Sequence, residues 1–112
     1  MNRKPDQWKS KRTPETSTVE AVLREAGFLH VDAYRFNAAS IRVRVIDPRF
    51  EGLTDGKRDA MIEPILEELP DQTRSDIISL FTFAPSELEP EADNYEVEVF
   101  NTEFERPSRS YL

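Results

Sequence analysis

The sequence predicts an α+β domain, a two-layer sandwich of the order α-β-β-α-β in which the helices cover one face of a small mixed sheet. The segment Ser40–Ile46 alternates strictly between apolar residues and arginines, which is typical of a half-buried strand. An apolar stripe with helical spacing follows, formed by Met61, Ile62, Ile65, Leu66 and Leu69. The segment Ile77–Phe83 is apolar on both faces, as in a strand that is covered on both sides. Because a helical crossover joins parallel strands in a right-handed sense, we expect these two strands to be parallel neighbours.

Composition restricts the class of protein. A chain of 112 residues is long enough for one domain with a modest core. The absence of cysteine excludes disulfides, thiolate metal ligands and a cysteine nucleophile, and it fits a reducing, cytoplasmic compartment. We expect no signal peptide and no membrane span, because no apolar run approaches the roughly 20 residues that cross a bilayer. The net charge of −7 disfavours nucleic acid as a partner, since phosphate binding depends on Lys and Arg.

Charge is unevenly distributed and divides the chain into three parts. Residues 1–16 are basic and lack periodicity, so we predict a disordered arm in which Trp8 is exposed, loosely docked or an anchor for a partner. Residues 17–88 contain the predicted domain. Residues 89–112 form an acidic extension in which residues 93–105 alternate in polarity. This pattern predicts either an additional C-terminal strand or an extended tail docked on the sheet.

The first half of the domain has clear helix and strand signals. Ser17 and Glu20 are spaced as a capping box at the start of a helix, and Gly27 is a natural helix stop. Leu29–Phe36 reads as the first strand. The short loop after it predicts an antiparallel hairpin with Ser40–Ile46.

The second helix contains a breaker and a row of acidic residues. Pro64 predicts a kink or a division into two short helices, and residues 71–75 read as a polar loop. Four acidic positions recur every four residues, namely Asp55, Asp59, Glu63 and Glu67. A metal or acid–base site is conceivable there, but a solvated helix face explains the pattern and is favoured. His30 is a lone histidine for which no catalytic partner is evident.

The sheet face away from the helices is the candidate binding surface. If Ile41, Val43 and Val45 point to the core, the alternate residues point outward, and these are Tyr34, Phe36, Arg42 and Arg44. Aromatic and arginine side chains on an open sheet resemble a stacking platform for single-stranded nucleic acid. In the favoured alternative the C-terminal extension covers this face. Glu96 or Glu98 then pairs with the arginines, and Phe100 or Phe104 packs on the apolar part.

Residues 17–88 resemble the BolA family, whose fold is similar to class II KH domains. The resemblance rests on Val43–Gly52, which matches the apolar strand followed by Arg-Phe-x-Gly, and on the spacing from Gly52 to the last strand. Arg58 falls at the first arginine of the family's Arg-His-Arg run. Asp76–Phe83 aligns with its His-Ala-Leu strand, and Ala84–Glu87 with its Thr-Pro-x-Glu. The resemblance implies this scaffold and an adaptor role.

Several departures from the family pattern bear on function. The family histidine that is thought to bind an iron–sulfur cluster shared with a monothiol glutaredoxin is Asp76 here. Asp59 and Ala60 replace the histidine and second arginine of Arg-His-Arg, and Leu88 replaces a tryptophan. An aspartate is a hard oxygen ligand and suits iron–sulfur chemistry poorly, so we expect no cofactor.

Together these observations predict a non-catalytic, cytoplasmic binding or adaptor module. Its expected partner is a protein, with a glutaredoxin-like protein as the family precedent. The alternative is a KH-like domain that binds single-stranded RNA. An enzyme is not expected, because no nucleophile–base pair or metal cluster is evident. The candidate binding surface consists of Tyr34, Phe36, Arg42, Arg44, Arg58 and Asp76.

Overall fold

The computed structural model describes residues 7–88 and 102–112. Within these residues the chain forms a small α+β domain with three helices and a mixed three-stranded sheet, which confirms the predicted fold class. The elements are α1 (Pro14–Glu25), β1 (His30–Asn37), β2 (Ser40–Ile46), α2 (Asp55–Leu66), α3 (Asp71–Asp76) and β3 (Ile77–Phe83). A single helical turn, α4 (Thr102–Glu105), lies in the C-terminal segment. None of these helices is long and apolar enough to cross a membrane.

The sheet has the order β1-β2-β3, with β1 antiparallel and β3 parallel to β2. Both pairings agree with the predicted hairpin and crossover. Ile77 is paired with Ile41 and Ser79 with Arg42, so Ile78 is an extra residue that forms a β-bulge in β3. The bulge turns this residue outward at the edge of the sheet.

The helices cover one face of the sheet and enclose the main core. Ile41, Val43 and Val45 are fully buried in this core, as predicted from their alternation. Helices α1 and α2 contribute buried side chains from above, among them Leu23 and Ile62. Because residues of a strand point alternately to opposite faces, Arg42 and Arg44 lie on the other side of the sheet.

The predicted start of α1 is wrong. The helix begins at Pro14, three residues before Ser17, and its N-cap is Thr13, which forms a capping box with Thr16. Proline is favoured at the first helical position, because its missing N–H has no partner there anyway. Glu20 is therefore free for a tertiary contact, and it accepts a hydrogen bond of 2.8 Å from the N–H of Ala33.

The boundaries after α1 agree with the sequence in part. Gly27 follows α1 with φ of 103°, as expected of a helix stop. Pro64 lies in the last turn of α2, which is one helix up to Leu66. The predicted polar loop at residues 71–75 is wrong, because these residues form α3. Asp71 in its first turn favours this helix through the helix dipole.

The second face of the sheet is covered by segments from both ends of the chain. Gln7–Lys11 form a 3-10 helix that carries Trp8, which is buried. The prediction of a disordered arm is therefore wrong for residues 7–16, and residues 1–6 lie outside the described residues. Of the predicted C-terminal extension, residues 89–101 also lie outside them, and Thr102–Glu105 form a helical turn in place of a strand.

Candidate functional site

Arg44 lies at the centre of the sheet face opposite the helices and is fully buried. Its Nη2 donates to a carboxylate oxygen of Asp32 at 2.7 Å, and its Nη1 donates to the carbonyl of Phe104 at 3.3 Å. The guanidinium also stacks against the Phe104 and Tyr111 rings, at 4.6 and 4.1 Å from their centroids. Arg44 is therefore enclosed by an ion pair and by aromatic rings, which together offset the cost of removing its charge from water.

Asp32 connects this arginine to both ends of the chain. Its Oδ1 accepts a hydrogen bond of 3.0 Å from Arg12, and the Tyr111 hydroxyl donates to Oδ2, the oxygen that also accepts from Arg44. Burial, together with the hydrogen bond to the negatively charged Asp32, raises the pKa of Tyr111 to about 12. The phenol thus stays neutral and continues to donate its proton across the physiological pH range.

Four aromatic side chains form a second core around this ion pair. The Phe104 ring centroid is 5.0 Å from that of Trp8, 4.9 Å from that of Tyr34 and 5.9 Å from that of Phe81, all in edge-to-face geometry. Trp8, Tyr34 and Phe104 are each almost completely buried. The stacking platform, in which Tyr34 and Arg44 would be exposed, is therefore contradicted, because side chains from both termini cover this face. The favoured alternative, in which the C-terminal segment covers the face and Phe104 packs on it, is confirmed for Phe104, while Phe100 lies outside the described residues.

Phe36 and Arg42 lie at the rim of the same face. The Arg42 guanidinium is 4.0 Å from the Phe36 ring centroid, and its Nη1 donates to Glu105 at 2.6 Å. Phe36 retains 39% exposure. A C-terminal glutamate was expected to pair with these arginines; the two proposed for that role, at positions 96 and 98, lie outside the described residues.

Arg58, singled out by its place in the BolA-like pattern, is a buried structural residue. It forms a two-pronged pair with Glu87, at 2.9 and 2.7 Å, and donates to the carbonyls of Leu53 and Thr82, both at 3.0 Å. The hydrogen bonds with Glu87 raise the pKa of Arg58, and they hold the pKa of Glu87 below its usual range. Arg58 thereby joins α2 to the end of β3 and to the turn that follows it.

Asp76, which the resemblance described above aligns with a histidine of the BolA family, is also engaged within the domain. It ends α3, and its carboxylate lies 3.1 Å from the guanidinium of Arg35. It also accepts a hydrogen bond of 3.0 Å from the side-chain amide of Gln72. Its partners are therefore side chains of the same chain, on β1 and α3.

The structure offers little for a metal site. Within residues 7–88 and 102–112, no group of three or more His, Asp or Glu side chains is arranged to hold a metal ion. His30 lies beside the ring of Tyr111, with centroids 6.1 Å apart. On α2, Glu63 and Glu67 lie 3.8 and 3.6 Å from Arg74.

The outer edge of β3 is open in the described fold. In the part of the chain that the structure describes, β3 is paired on one side, with β2. The Phe83 carbonyl accepts from Asp47 at the end of β2, and the Thr82 carbonyl accepts from Arg58 on the opposite side. Since the N–H and C=O of one strand residue point to the same edge and those of the next residue to the opposite edge, the N–H and C=O of Leu80 point outward, away from β2.

Two grooves follow this edge, between β3 and α2. The first, of about 340 Å³, is lined by residues that include Asp59, Glu63, Arg74, Ile78 and Leu80. The second, of about 730 Å³, is lined by residues that include Asp55, Arg58, Asp59, Thr82, Glu87 and Glu105. Leu80 borders both grooves, so they form one path along the strand edge.

Ile78 marks the exposed end of this path, with 64% of its surface accessible. The sequence placed it in a strand covered on both faces. The bulge that turns it outward depends on the pairing of β3 with β2, and no residue pattern within β3 indicates it. Trp8, Asp32 and Tyr111 were also not recognised as one cluster, because each belongs to a different segment of the chain.

Three comparisons with known proteins bear on this arrangement. No protein-family model matches the chain. Searches of the curated proteins and of the solved structures also find no match. Fold and site therefore define the class of protein directly, as an α+β domain with a second aromatic core and a β3 edge that has no strand partner among the described residues. The outer edge of β1 has no strand partner there either, but side chains of α1 bond to it, because Arg24 donates to the Val31 carbonyl and Glu20 accepts from the Ala33 N–H.

Proposed function

We propose that this protein is a protein-binding module that takes up an extended segment of its partner along the outer edge of β3. The observation that carries the proposal is this edge, which is unpaired within residues 7–88 and 102–112 and is bordered by two adjoining grooves that share Asp59 and Leu80. An added strand would obtain hydrogen bonds from the outward peptide groups of β3. The grooves would receive its alternate side chains.

The surroundings of the edge suit a partner of this kind. Ile78 is a large apolar side chain that contacts solvent at the start of the strand, and the half-buried Leu80 follows two residues later. Burying such apolar surface contributes about 25 cal/mol for each Å² removed from water. At the other end of β3, Arg58 occupies the Thr82 carbonyl, so the backbone hydrogen bonds of an added strand are centred on Leu80, and beyond that residue the segment continues along the second groove through side-chain contacts.

The resemblance to the BolA family supports the same proposal, because it implies an adaptor role on this scaffold. We further propose a non-catalytic role. Asp76 and Arg58, the two residues in positions of family interest, form ion pairs with Arg35 and Glu87 within the domain. The RNA-binding alternative has less support, since Trp8 and Phe104 cover Tyr34 and Arg44.

The experiment is a pull-down with the full chain from native extract, with and without nuclease, using two matched variants. Ile78→Lys places a charge on the proposed edge, whereas Leu29→Lys places the same charge at a site with similar exposure, 62% against 64%, just before β1. Both variants should fold normally, which circular dichroism checks. We expect a nuclease-resistant protein that is lost with Ile78→Lys and retained with Leu29→Lys. Equal recovery by both variants, or recovery that nuclease abolishes, would contradict the proposal.

A further inference from the structure

We infer that the segment taken up at the β3 edge is basic, with Lys or Arg at alternate positions. This inference rests on the proposed function and specifies the chemistry of the partner. Helix α2 presents acidic side chains along the grooves, and the spacing of these side chains matches that of an extended strand.

Helix α2 runs along β3 in the opposite direction. The groove beside Phe83 and Thr82 is lined by Asp55, near the start of the helix. The groove beside Ile78 is lined by Glu63, nearer its end. Asp59 lines both grooves, so the acidic positions of α2 border the whole path.

The spacing of these carboxylates fits an extended strand. Residues four apart on a helix are separated by about 6 Å along its axis. Alternate residues of a strand are separated by about 6.6 Å, so side chains on one face of an added strand advance nearly in step with Asp55, Asp59 and Glu63. Three cationic side chains at alternate positions can therefore each approach one carboxylate.

The cations that border the groove are already engaged. Arg58 is paired with Glu87, and Arg74 lies near Glu63 and Glu67. Within the described residues, no ion pair involves Asp55 or Asp59. Glu105 adds a further carboxylate at the second groove, although it is shared with Arg42. The side chains that line the path therefore carry a net negative charge, which is complementary to a cationic segment.

The other face of an added strand would be apolar. On β3, Phe81 is half-buried and joins the aromatic core of Trp8, Tyr34 and Phe104 on the face away from α2. An added strand would extend this face next to Phe81. The expected ligand is thus a short extended segment in which basic residues, directed at α2, alternate with apolar ones.

The experiment uses the full chain and two labelled seven-residue peptides, one alternating Lys with Val and the other Glu with Val. Binding is measured by fluorescence anisotropy. We expect the basic peptide to bind at least about tenfold more tightly than the acidic one, because like charges across an interface are strongly disfavoured. Asp55→Asn/Asp59→Asn should weaken binding of the basic peptide by about tenfold or more.

A control variant separates the groove from the overall charge. Glu25→Gln/Glu68→Gln changes the net charge by the same amount at exposed positions that do not line either groove. We expect it to weaken binding by less than about twofold. Equal losses in the two double variants would mean that the peptide responds to net charge alone, and would overturn the inference.

The remaining outcomes distinguish this inference from the proposed function. If both peptides bind equally and Ile78→Lys abolishes both, the edge is a binding site but its partner is not basic. If the basic peptide binds but changes only the NMR signals of residues distant from Leu80, the peptide-binding site is not the β3 edge. If the Leu80 amide of the free protein is already protected from exchange and neither peptide binds, another part of this chain occupies the edge, and both proposals are wrong.

Discussion

Arg42 and Arg44 are two residues apart on β2 and point to the same face, yet they experience opposite environments. Arg44 is fully buried between Asp32, Phe104 and Tyr111. Arg42 lies at the rim, over Phe36, with part of its side chain in water. Identical chemistry therefore has different energetic consequences, because a buried charge that loses its partner cannot recover hydration.

We expect Arg44→Met to lower the free energy of unfolding by about 3–5 kcal/mol, since it leaves Asp32 buried without its nearest cation. Arg42→Met, the matched variant on the same strand, should cost about 1 kcal/mol. Urea denaturation followed by Trp8 fluorescence measures both. Adding Asp32→Leu to Arg44→Met should restore part of the lost stability, because it removes a buried carboxylate whose one remaining cation, Arg12, is partly exposed. An Arg44→Met protein as stable as Arg42→Met would contradict this account.

Glu87 gives the domain a defined sensitivity to acid. Its pKa is lowered in the folded protein by hydrogen bonds from Arg58, so the unfolded chain binds a proton more readily than the folded one. The stabilisation is therefore complete above the unfolded pKa, about 4.5 for a glutamate, and is lost as pH falls through the lower folded pKa. We expect Glu87→Gln to cost about 1 kcal/mol at neutral pH, since solvent screens this 40% exposed side chain, and to cost less in acid.

Thermal melts between neutral pH and pH of about 3 test this expectation. Glu25→Gln, at an exposed position near the end of α1, is the control and should follow the wild type throughout. If Glu87→Gln loses stability in acid as steeply as the wild type, the Arg58 pair does not contribute to the acid dependence. The pKa of Asp47 is also lowered, because hydrogen bonds from Arg49 and Leu29 outweigh the effect of burial, which alone would raise it. Glu87→Gln should therefore keep the part of the acid-induced loss of stability that comes from Asp47.

At the scale of elements, the described terminal segments act as one layer. The 3-10 helix at Gln7–Lys11 supplies Trp8, and α4 supplies Phe104, whose rings meet in edge-to-face contact 5.0 Å apart. Each segment is too short to be stable alone, since isolated helices need more than about a dozen residues. Their order therefore comes from the sheet face on which they pack.

We expect Trp8→Ala and Phe104→Ala each to cost about 3–5 kcal/mol, because each removes a fully buried aromatic ring. The double variant should cost less than the sum by about 1 kcal/mol, the coupling typical of an edge-to-face pair. Phe36→Ala, at the exposed rim, should cost about 1 kcal/mol or less. Denaturant titrations of the four variants give these values, and strictly additive losses would mean that the two segments dock independently.

At the scale of the whole molecule, both faces of the sheet are covered. The helices cover one face and the described terminal segments cover the other. The helices bury Ile41, Val43 and Val45, and the described terminal segments bury Tyr34 and Arg44. The second core adds to the stability of a small domain, because a single hydrophobic core of this size contributes only a few kcal/mol to the free energy of unfolding. The C-terminal segment is thus part of the folding unit.

We expect truncation after Leu88 to destabilise the domain by more than any single substitution above. It removes Phe104 and Tyr111 together and leaves Trp8 and Arg44 uncovered. Apparent melting temperature should fall by more than about 10 °C, and binding of a hydrophobic dye should rise. Removal of the exposed Leu112 alone should change neither quantity. A truncated chain with unchanged melting temperature and dye binding would show that the C-terminal segment adds no stability.

Local patterns in the sequence determined the α+β class, the bounds of β2 and β3 and the buried faces of β2 and α2. They did so because periodicity, Gly27 and the residues that break or cap helices act over a few positions. The same reasoning failed at Ser17 and at residues 71–75, where Thr13 and Asp71 provided better starts for helices. At α1 two possible capping boxes lie four residues apart, and at α3 the polar composition hides a short helix.

Tertiary structure alone decided which polar and aromatic residues are buried and which edge is open. Asp32, Arg44 and Tyr111 meet across widely separated positions, and nothing near Arg44 in the sequence distinguishes it from Arg42. The bulge at Ile78 likewise arises from pairing with β2. These features depend on contacts between distant segments, whose free energy is set by desolvation and by partners that no local pattern contains.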